Sequence, residues 1–194
     1  MMITLTDSGH RLSNPSLFWR HLCLLLLLTS GIATAATTDP DPEQSFFDPT
    51  FGDFSEEIET AKTEGKKGVL LMFEMDECPF CQRMKTTVLN QPEVREYFKK
   101  HFKIFSVDIE GDVEITDFSG TVMTQKDFAL KSYRVRATPV FAFFDVEGNL
   151  MTKFIGATPH SSEFMWLGNY VVEDRYKDTT FQQYKRERQA APEQ

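Results

Sequence analysis

Short apolar runs along the chain predict the strands of a sheet. Gly68 to Phe73 and Val140 to Phe144 are apolar without alternation, which is typical of strands buried on both faces. Phe102 to Ile109 predicts a third strand, with Phe105, Val107 and Ile109 on one side. Leu150 to Ile155 follows the turn residues Glu147-Gly148-Asn149 and predicts an antiparallel neighbour for the strand before it.

The segments between these runs repeat apolar residues at helical spacing. Phe51, Phe54, Ile58 and Ala61 form the first such face, and Asp53 is placed to cap the helix. The same spacing predicts later helices over Cys81 to Val88, Pro92 to Phe98, Thr124 to Tyr133 and Phe164 to Val171. Between the third of these helices and the strand before it, Ile115 to Val122 predicts a small hairpin. Helices and strands therefore alternate along one α/β domain.

The first 35 residues have the order of a secretory signal. Arg11 and Arg20 precede a leucine-rich run, and Ala33-x-Ala35 follows as a cleavage site. An uncleaved anchor is the alternative, but the apolar stretch of about 15 residues is shorter than the roughly 20 that a spanning helix needs. We expect residues 1–35 to be a cleaved signal peptide and the mature protein to be periplasmic. Cys23 would be removed with the signal.

Composition divides the rest of the chain into three parts. Residues 36–50 are polar and contain proline, which predicts a linker; residues 51–172 form the domain, and residues 173–194 a polar C-terminal tail. The chain has 21 Lys and Arg against 29 Asp and Glu, a net charge of −8. This charge argues against nucleic acid and anionic lipid as partners. No exposed apolar heptad or second domain is evident, so we expect a monomer.

A pair of cysteines, Cys78-Pro79-Phe80-Cys81, stands between the first predicted strand and the following helix. The first thiol then lies at a helix N-terminus, where the free N–H groups and the helix dipole favour the thiolate. A zinc site would need four ligands, but there is no second pair and His101 and His160 are isolated. A purely structural disulfide between residues three apart would close too small a loop to stabilise the folded protein by much. The pair therefore indicates a dithiol redox centre without a metal or a cofactor.

The order of elements and these motifs resemble the thioredoxin-like superfamily. Besides the cysteine pair, Tyr133 to Val140 resembles the approach to the cis-proline of that superfamily, and Gly156-Ala157 the glycine after its last strand. The resemblance covers residues 51–172 and implies a central mixed sheet of about four strands flanked by helices. The export signal, the insert between Ile109 and Thr124 and the threonine before the proline make the chain most similar to SoxW-like periplasmic thioredoxins.

The resemblance also implies a function, an exported thiol-disulfide oxidoreductase. Cys78 would attack a substrate disulfide and Cys81 would resolve the mixed disulfide. A cis Thr138–Pro139 bond would let the Thr138 backbone hold an extended substrate segment, although an ordinary trans bond is the alternative. The implied partners are a protein or small-molecule disulfide and a membrane or periplasmic electron donor.

Two positions depart from the superfamily in the region of the buried cysteine. Thioredoxins usually carry a buried acidic residue six positions before the first cysteine and a lysine on the neighbouring strand. These positions are Met72 and Ser106 here. Glu74 is near enough in sequence to replace the missing acid, or its side chain is simply solvated.

A third departure lies directly before the first cysteine, where Glu77 replaces the usual tryptophan and follows Asp76. Two carboxylates beside Cys78 oppose its ionisation, which raises the pKa of the thiol and favours a reductase. A solvated loop is the alternative reading of both residues. Two other functions stay open, an oxidase or isomerase of the DsbA or DsbC kind and a protein-binding module in which the thiols are incidental.

Overall fold

The computed structural model describes residues 46–190. The predicted signal peptide and cleavage site, most of the predicted linker and the last four residues lie outside the described residues. The helices are α1 (Phe54–Thr63), α2 (Pro79–Met84), α3 (Pro92–His101), α4 (Gln125–Asp127), α5 (Ser161–Val172) and α6 (Phe181–Ala190). The strands are β1 (Gly68–Glu74), β2 (Phe102–Asp108), β3 (Glu114–Thr116), β4 (Val122–Thr124), β5 (Val140–Asp145) and β6 (Leu150–Ile155). Lys85–Leu89 and Phe128–Ser132 extend α2 and α4 as π-helical turns, and Arg175–Lys177 is a 3₁₀ turn.

Four of the strands form the central sheet in the order β2, β1, β5, β6. β1 is parallel to β2 and antiparallel to β5, and β6 is antiparallel to β5. This arrangement confirms the predicted α/β fold with a mixed four-stranded sheet flanked by helices. β3 and β4 form the predicted hairpin in the insert after β2.

Both faces of the sheet are covered, which explains why β1 lacks alternation. The strand is buried from Gly68 through Phe73, as expected for a central strand with helices on each side. One face packs with α2, α3 and α5 in a cluster that includes Leu70, Met72, Phe141, Phe143 and both cysteines. The other face packs with α1 and α4 in a cluster that includes Val69, Leu71, Phe73, Phe105 and Phe128.

The first helix begins later than its apolar pattern predicts. Phe51 lies before α1 and is fully exposed, so it is not part of the buried face that Phe54 opens. Asp53 is the N-cap, and its Oδ1 accepts hydrogen bonds from the N–H groups of Ser55 and Glu56 at 3.0 and 3.1 Å. The cap sets the start of the helix, because an N-cap residue has non-helical backbone angles and the helix can begin only after it.

Packing of the domain also extends beyond the predicted linker boundary at residue 51. Phe46 is buried, with its ring centroid 6.1 Å from that of Phe98 and 6.4 Å from that of Phe164. The Asp48 N–H donates to the Ile104 carbonyl at 2.7 Å, and the Ile104 N–H donates to Asp48 Oδ2 at 2.9 Å. The end of the predicted linker is therefore part of the core and of the edge of β2.

The segment expected to be a polar tail folds back onto the domain as α6. Tyr184 is buried and its hydroxyl donates to Glu173 Oε2 at 3.1 Å. Lys185 Nζ lies 2.9 Å from Glu163 Oε2 on α5. The helix is polar on its outer face, but these contacts anchor its inner face. Among residues 46–190, no helix is both long enough and apolar enough to cross a membrane.

Candidate active site

The two cysteines of the pair are joined by a disulfide at the start of α2. Cys78 is the N-cap residue, and its Sγ accepts a hydrogen bond from the Cys81 N–H at 3.1 Å. Pro79 occupies the first turn of the helix, where its fixed φ is suitable and its missing N–H leaves no bond unmade. The Cys81 N–H group is also placed to stabilise a thiolate on Cys78 in the reduced protein.

Both cysteines of the pair are buried, although the proposed attacking residue, Cys78, was expected to be the more exposed of the two. Cys81 is fully buried and Cys78 is only 3% exposed. The two residues between the cysteines, Pro79 and Phe80, are exposed. The ring of Phe80 is 59% exposed, and the guanidinium of Arg83 lies 5.7 Å from its centre. The surface around the disulfide is therefore apolar at Phe80 and positively charged beside it.

The Thr138–Pro139 peptide bond is cis, the alternative that the sequence favoured. Val140, the first residue of β5, is paired with Phe73 near the end of β1. The cis bond, directly before β5, and the cysteine pair, directly after β1, therefore lie at the same end of the sheet. The Gly156 N–H donates to the Pro139 carbonyl at 2.9 Å. Within residues 46–190, the buried Thr138 Oγ1 has no hydrogen-bond partner.

Asp76 and Glu77 form an exposed turn between β1 and Cys78. Both side chains have access to water, which screens their charges from the sulfur.

Glu74 is not solvated, and it forms part of a polar cluster beside the helix of the cysteines. Its Oε2 lies 2.7 Å from Lys85 Nζ, and its Oε1 accepts a hydrogen bond from the Ser106 hydroxyl. The side chains of Lys85 and Glu74 are only 7% and 14% exposed. Met72, in the position of the usual acid, is fully buried in the apolar core. The acid and the lysine are thus both present, but at different positions.

Sequence reasoning missed Lys85, although the chain carried one signal for it. Lys85 stands four residues after Cys81, the spacing that places two side chains on one helical face. Cys81, Met84 and Val88 were predicted to face inward, and all three are buried. A lysine beside that face needs a buried partner, because a buried charge without one is costly.

These residues form a centre that can exchange two electrons and two protons between a disulfide and a dithiol. Cys78 and Cys81 supply the sulfurs, the first turn of α2 supplies an N–H donor, and the cis-proline segment lies at the same edge of the sheet. Within the described residues, no group of three or more His, Cys, Asp or Glu side chains is arranged to hold a metal ion.

The family to which the chain is similar agrees with this description. A family model described as a thioredoxin-like domain matches residues 54–171. Among solved structures, the chain is similar to a thioredoxin-fold protein from Helicobacter pylori, with 26% identity over 60% of this chain and 80% of that one and a TM-score of 0.49. A thioredoxin from Thermus thermophilus matches with 25% identity over 62% of this chain and 84% of that one, also at a TM-score of 0.49. A DsbH oxidoreductase matches with 20% identity over 70% and 89% of the two chains, again at 0.49. No curated protein matches the chain.

Proposed function

Because the chain belongs to the thioredoxin-like domain family, we propose that it is an exported thiol-disulfide oxidoreductase that reduces disulfides of other proteins. The observation that carries the proposal is the hydrogen bond from the Cys81 N–H to Cys78 Sγ at 3.1 Å. This contact places a hydrogen-bond donor and the positive end of a helix against one of the two sulfurs. The nucleophile is therefore Cys78.

The reaction proceeds by two thiol-disulfide exchanges. The Cys78 thiolate attacks one sulfur of the substrate disulfide, which forms a mixed disulfide and releases the other substrate sulfur as a thiolate. Cys81 then loses its proton and attacks Cys78 Sγ, which releases the second substrate thiol and leaves the disulfide seen in the structure. A dithiol electron donor restores the reduced pair by the reverse exchange.

The cis-proline segment is the proposed substrate-holding element. Thr138 precedes the cis bond at the edge of the sheet where the cysteine pair lies. Its backbone groups would pair with an extended segment of the substrate, a mode of recognition that depends little on side-chain identity. The exposed ring of Phe80, which stands between the two cysteines in the sequence, offers an apolar contact for the same segment.

Three finer parts of the proposal depend on the sequence. The order of residues 1–35 supports export to the periplasm, where a membrane or periplasmic donor would supply electrons. Asp76 and Glu77 support a reducing pair, because negative charge before Cys78 disfavours its thiolate. The insert after β2 and the threonine before the cis-proline support a SoxW-like thioredoxin, and the sequence, in which no exposed apolar heptad or second domain is evident, supports a monomer.

An insulin-reduction assay with a dithiol donor tests the proposal. The protein without residues 1–35 should reduce insulin, Cys78→Ser should have no turnover, and Cys81→Ser should accumulate a mixed disulfide with its substrate. Trapping by Cys78→Ser but not by Cys81→Ser would show that the roles of the two thiols are reversed. An oxidase is distinguished by its reduction potential, since potentials near −120 mV belong to strong oxidants and potentials near −270 mV to reductants. Binding of a partner protein that persists in the Cys78→Ser, Cys81→Ser double variant, together with no insulin reduction by the unaltered protein, would favour the binding module.

A further inference from the structure

A groove of about 190 Å³ runs beside the Thr138–Pro139 segment. Three of its lining side chains are basic, Arg134 and Arg136 from the approach to the cis bond and Lys153 from β6. The remaining lining is apolar, and it consists of Val135, Ala137, Val140 and Ile155. We call this feature the basic groove.

The positive charge of the basic groove is not balanced locally. Arg134 and Arg136 are exposed, and neither forms an ion pair with any acidic residue of the part of the chain that the structure describes. Lys153 Nζ donates to the carbonyl of Tyr133 at 2.8 Å, which holds the ammonium at the groove. The whole chain carries a net charge of −8. The groove therefore has the opposite sign to the protein as a whole.

The backbone of Arg134 is in an unusual conformation for an arginine. Its φ is +55°, in the left-handed region, and its N–H donates to the Leu130 carbonyl at 3.1 Å where the helical segment ends. Glycine is the favoured residue at such a helix end, because the Cβ of any other residue crowds the backbone in this conformation. Strained positions of this kind cluster at functional sites. An arginine where glycine would be less strained indicates that the side chain has a use.

We propose that the basic groove binds acidic side chains of the polypeptide segment that flanks the substrate disulfide. This inference rests on the proposed function, in which Thr138 holds that segment in extended form. A substrate strand that pairs with the backbone at Thr138 continues along the residues that precede it, where Arg136 and Arg134 follow in turn. Guanidinium groups bind carboxylates in a two-point geometry, and the apolar lining beside them lowers the exposure of such pairs to water.

The inference is tested with three synthetic peptides that share one internal disulfide and differ only in the flanking residues, which are glutamate, glutamine or lysine. The readout is the second-order rate at which each peptide oxidises the pre-reduced protein, followed by alkylation of the free thiols. The glutamate peptide should react about tenfold faster than the lysine peptide, equivalent to about 1.4 kcal/mol. Raising the salt concentration should shrink this ratio, because it screens exposed charges.

Two variants and one control assign the preference to the groove. Arg134→Glu with Arg136→Glu should reverse the order of the glutamate and lysine peptides. Arg134→Gly should reduce the preference and leave the fold intact, since glycine adopts the observed φ without strain. The control, Lys62→Glu with Lys100→Glu, makes the same change in net charge at exposed positions near the opposite end of the sheet. It should keep the preference of the unaltered protein.

The possible outcomes separate this inference from the function on which it rests. Equal rates for all three peptides, or the same ratio before and after charge reversal, would overturn the basic groove alone. No reaction with any peptide would overturn the proposed function and the groove together. Oxidised glutathione, a small disulfide with carboxylates of its own, is compared with the peptides in the same assay. If the charge-reversed variant reacts more slowly with oxidised glutathione but not with the peptides, the groove binds a small molecule and the polypeptide assignment is overturned.

Discussion

Lys85 Nζ lies 2.7 Å from Glu74 Oε2, one helical turn after Cys81, and the two side chains are 7% and 14% exposed. The Ser106 hydroxyl donates to the other oxygen of Glu74, so the carboxylate has a partner on each side. Few waters can reach this ion pair, and its contribution depends on both members being present. When one partner of a buried pair is removed, the remaining charge is left buried without a compensating charge, which destabilises the fold.

The first prediction concerns the stability that this pair confers. Lys85→Met should lower the free energy of unfolding by about 2 to 4 kcal/mol, because the partly buried Glu74 carboxylate loses its cation. The double variant with Glu74→Gln should recover part of that loss. The exposed pair of Lys131 and Asp127 is the control, since its atoms are also 2.7 Å apart but its side chains are 70% and 38% exposed. Lys131→Met should cost less than about 1 kcal/mol.

Urea denaturation of the single and double variants measures these effects, and the non-additive part gives the coupling energy of the pair. A loss in Lys85→Met no greater than that in Lys131→Met would show that the buried ion pair adds nothing to stability.

The second prediction concerns Cys78 as a helix cap. In the reduced protein, Cys78→Ala should be about 1 kcal/mol less stable than Cys78→Ser, because a serine oxygen can still accept the hydrogen bond from the Cys81 N–H. Neither variant forms the disulfide, so the contribution of the disulfide to stability is absent from both and does not affect the comparison. Thermal unfolding under reducing conditions measures the difference. Equal stability of the two variants would mean that the cap makes no net contribution once the disulfide is absent.

The third prediction concerns the acidic residues before Cys78. Replacing Asp76 by Asn and Glu77 by Gln should raise the reduction potential, since less negative charge near Cys78 makes its thiolate easier to form. Both side chains are exposed, so we expect a rise of at most about 30 mV, equivalent to about 1.4 kcal/mol. Equilibration with glutathione measures the potential. Glu59→Gln with Glu96→Gln makes the same charge change on exposed helix surfaces and should leave the potential unaltered.

Much of the fold follows from local patterns, and these patterns are reliable where burial is continuous. β1 was predicted at Gly68 to Phe73, where each residue is buried because the strand is central, and it extends one residue further to Glu74. α3 begins at Pro92 as predicted, since proline is suited to the first helical turn. Phe51 shows where local spacing misleads, because the Asp53 cap begins the helix only after it.

Features that depend on distant parts of the chain could not be obtained in this way. The pairing of Glu74 with Lys85 and Ser106 joins two strands and a helix, so no local pattern contains it. The basic groove combines Arg134 and Arg136 with Lys153, which β6 brings alongside them. α6 likewise depends on contacts made across the fold, since few of its own residues are apolar.

The last prediction concerns α6 and uses Tyr184 as its probe. Burial, together with the hydrogen bond from the Tyr184 hydroxyl to Glu173, raises the pKa of Tyr184 to about 12. An unfolded tyrosine has a pKa near 10, so the stabilising contribution of the neutral side chain is fully present below pH 10 and is lost as pH rises towards 12. A pKa difference of this size corresponds to roughly 3 kcal/mol. Tyr184→Phe should therefore lose less stability than the unaltered protein between pH 10 and 12, although it lacks the hydrogen bond at neutral pH. Urea denaturation at a series of alkaline pH values, with tyrosinate absorbance as a second signal, measures the slope of stability against pH.

Tyr97 and Tyr133 also have pKa values raised to about 12 by burial, so part of the alkaline loss of stability should persist in the variant. Tyr176→Phe is the control, because that side chain is only partly buried and its removal should alter the slope less. An identical slope in Tyr184→Phe and the unaltered protein would indicate that α6 detaches from the domain before Tyr184 ionises.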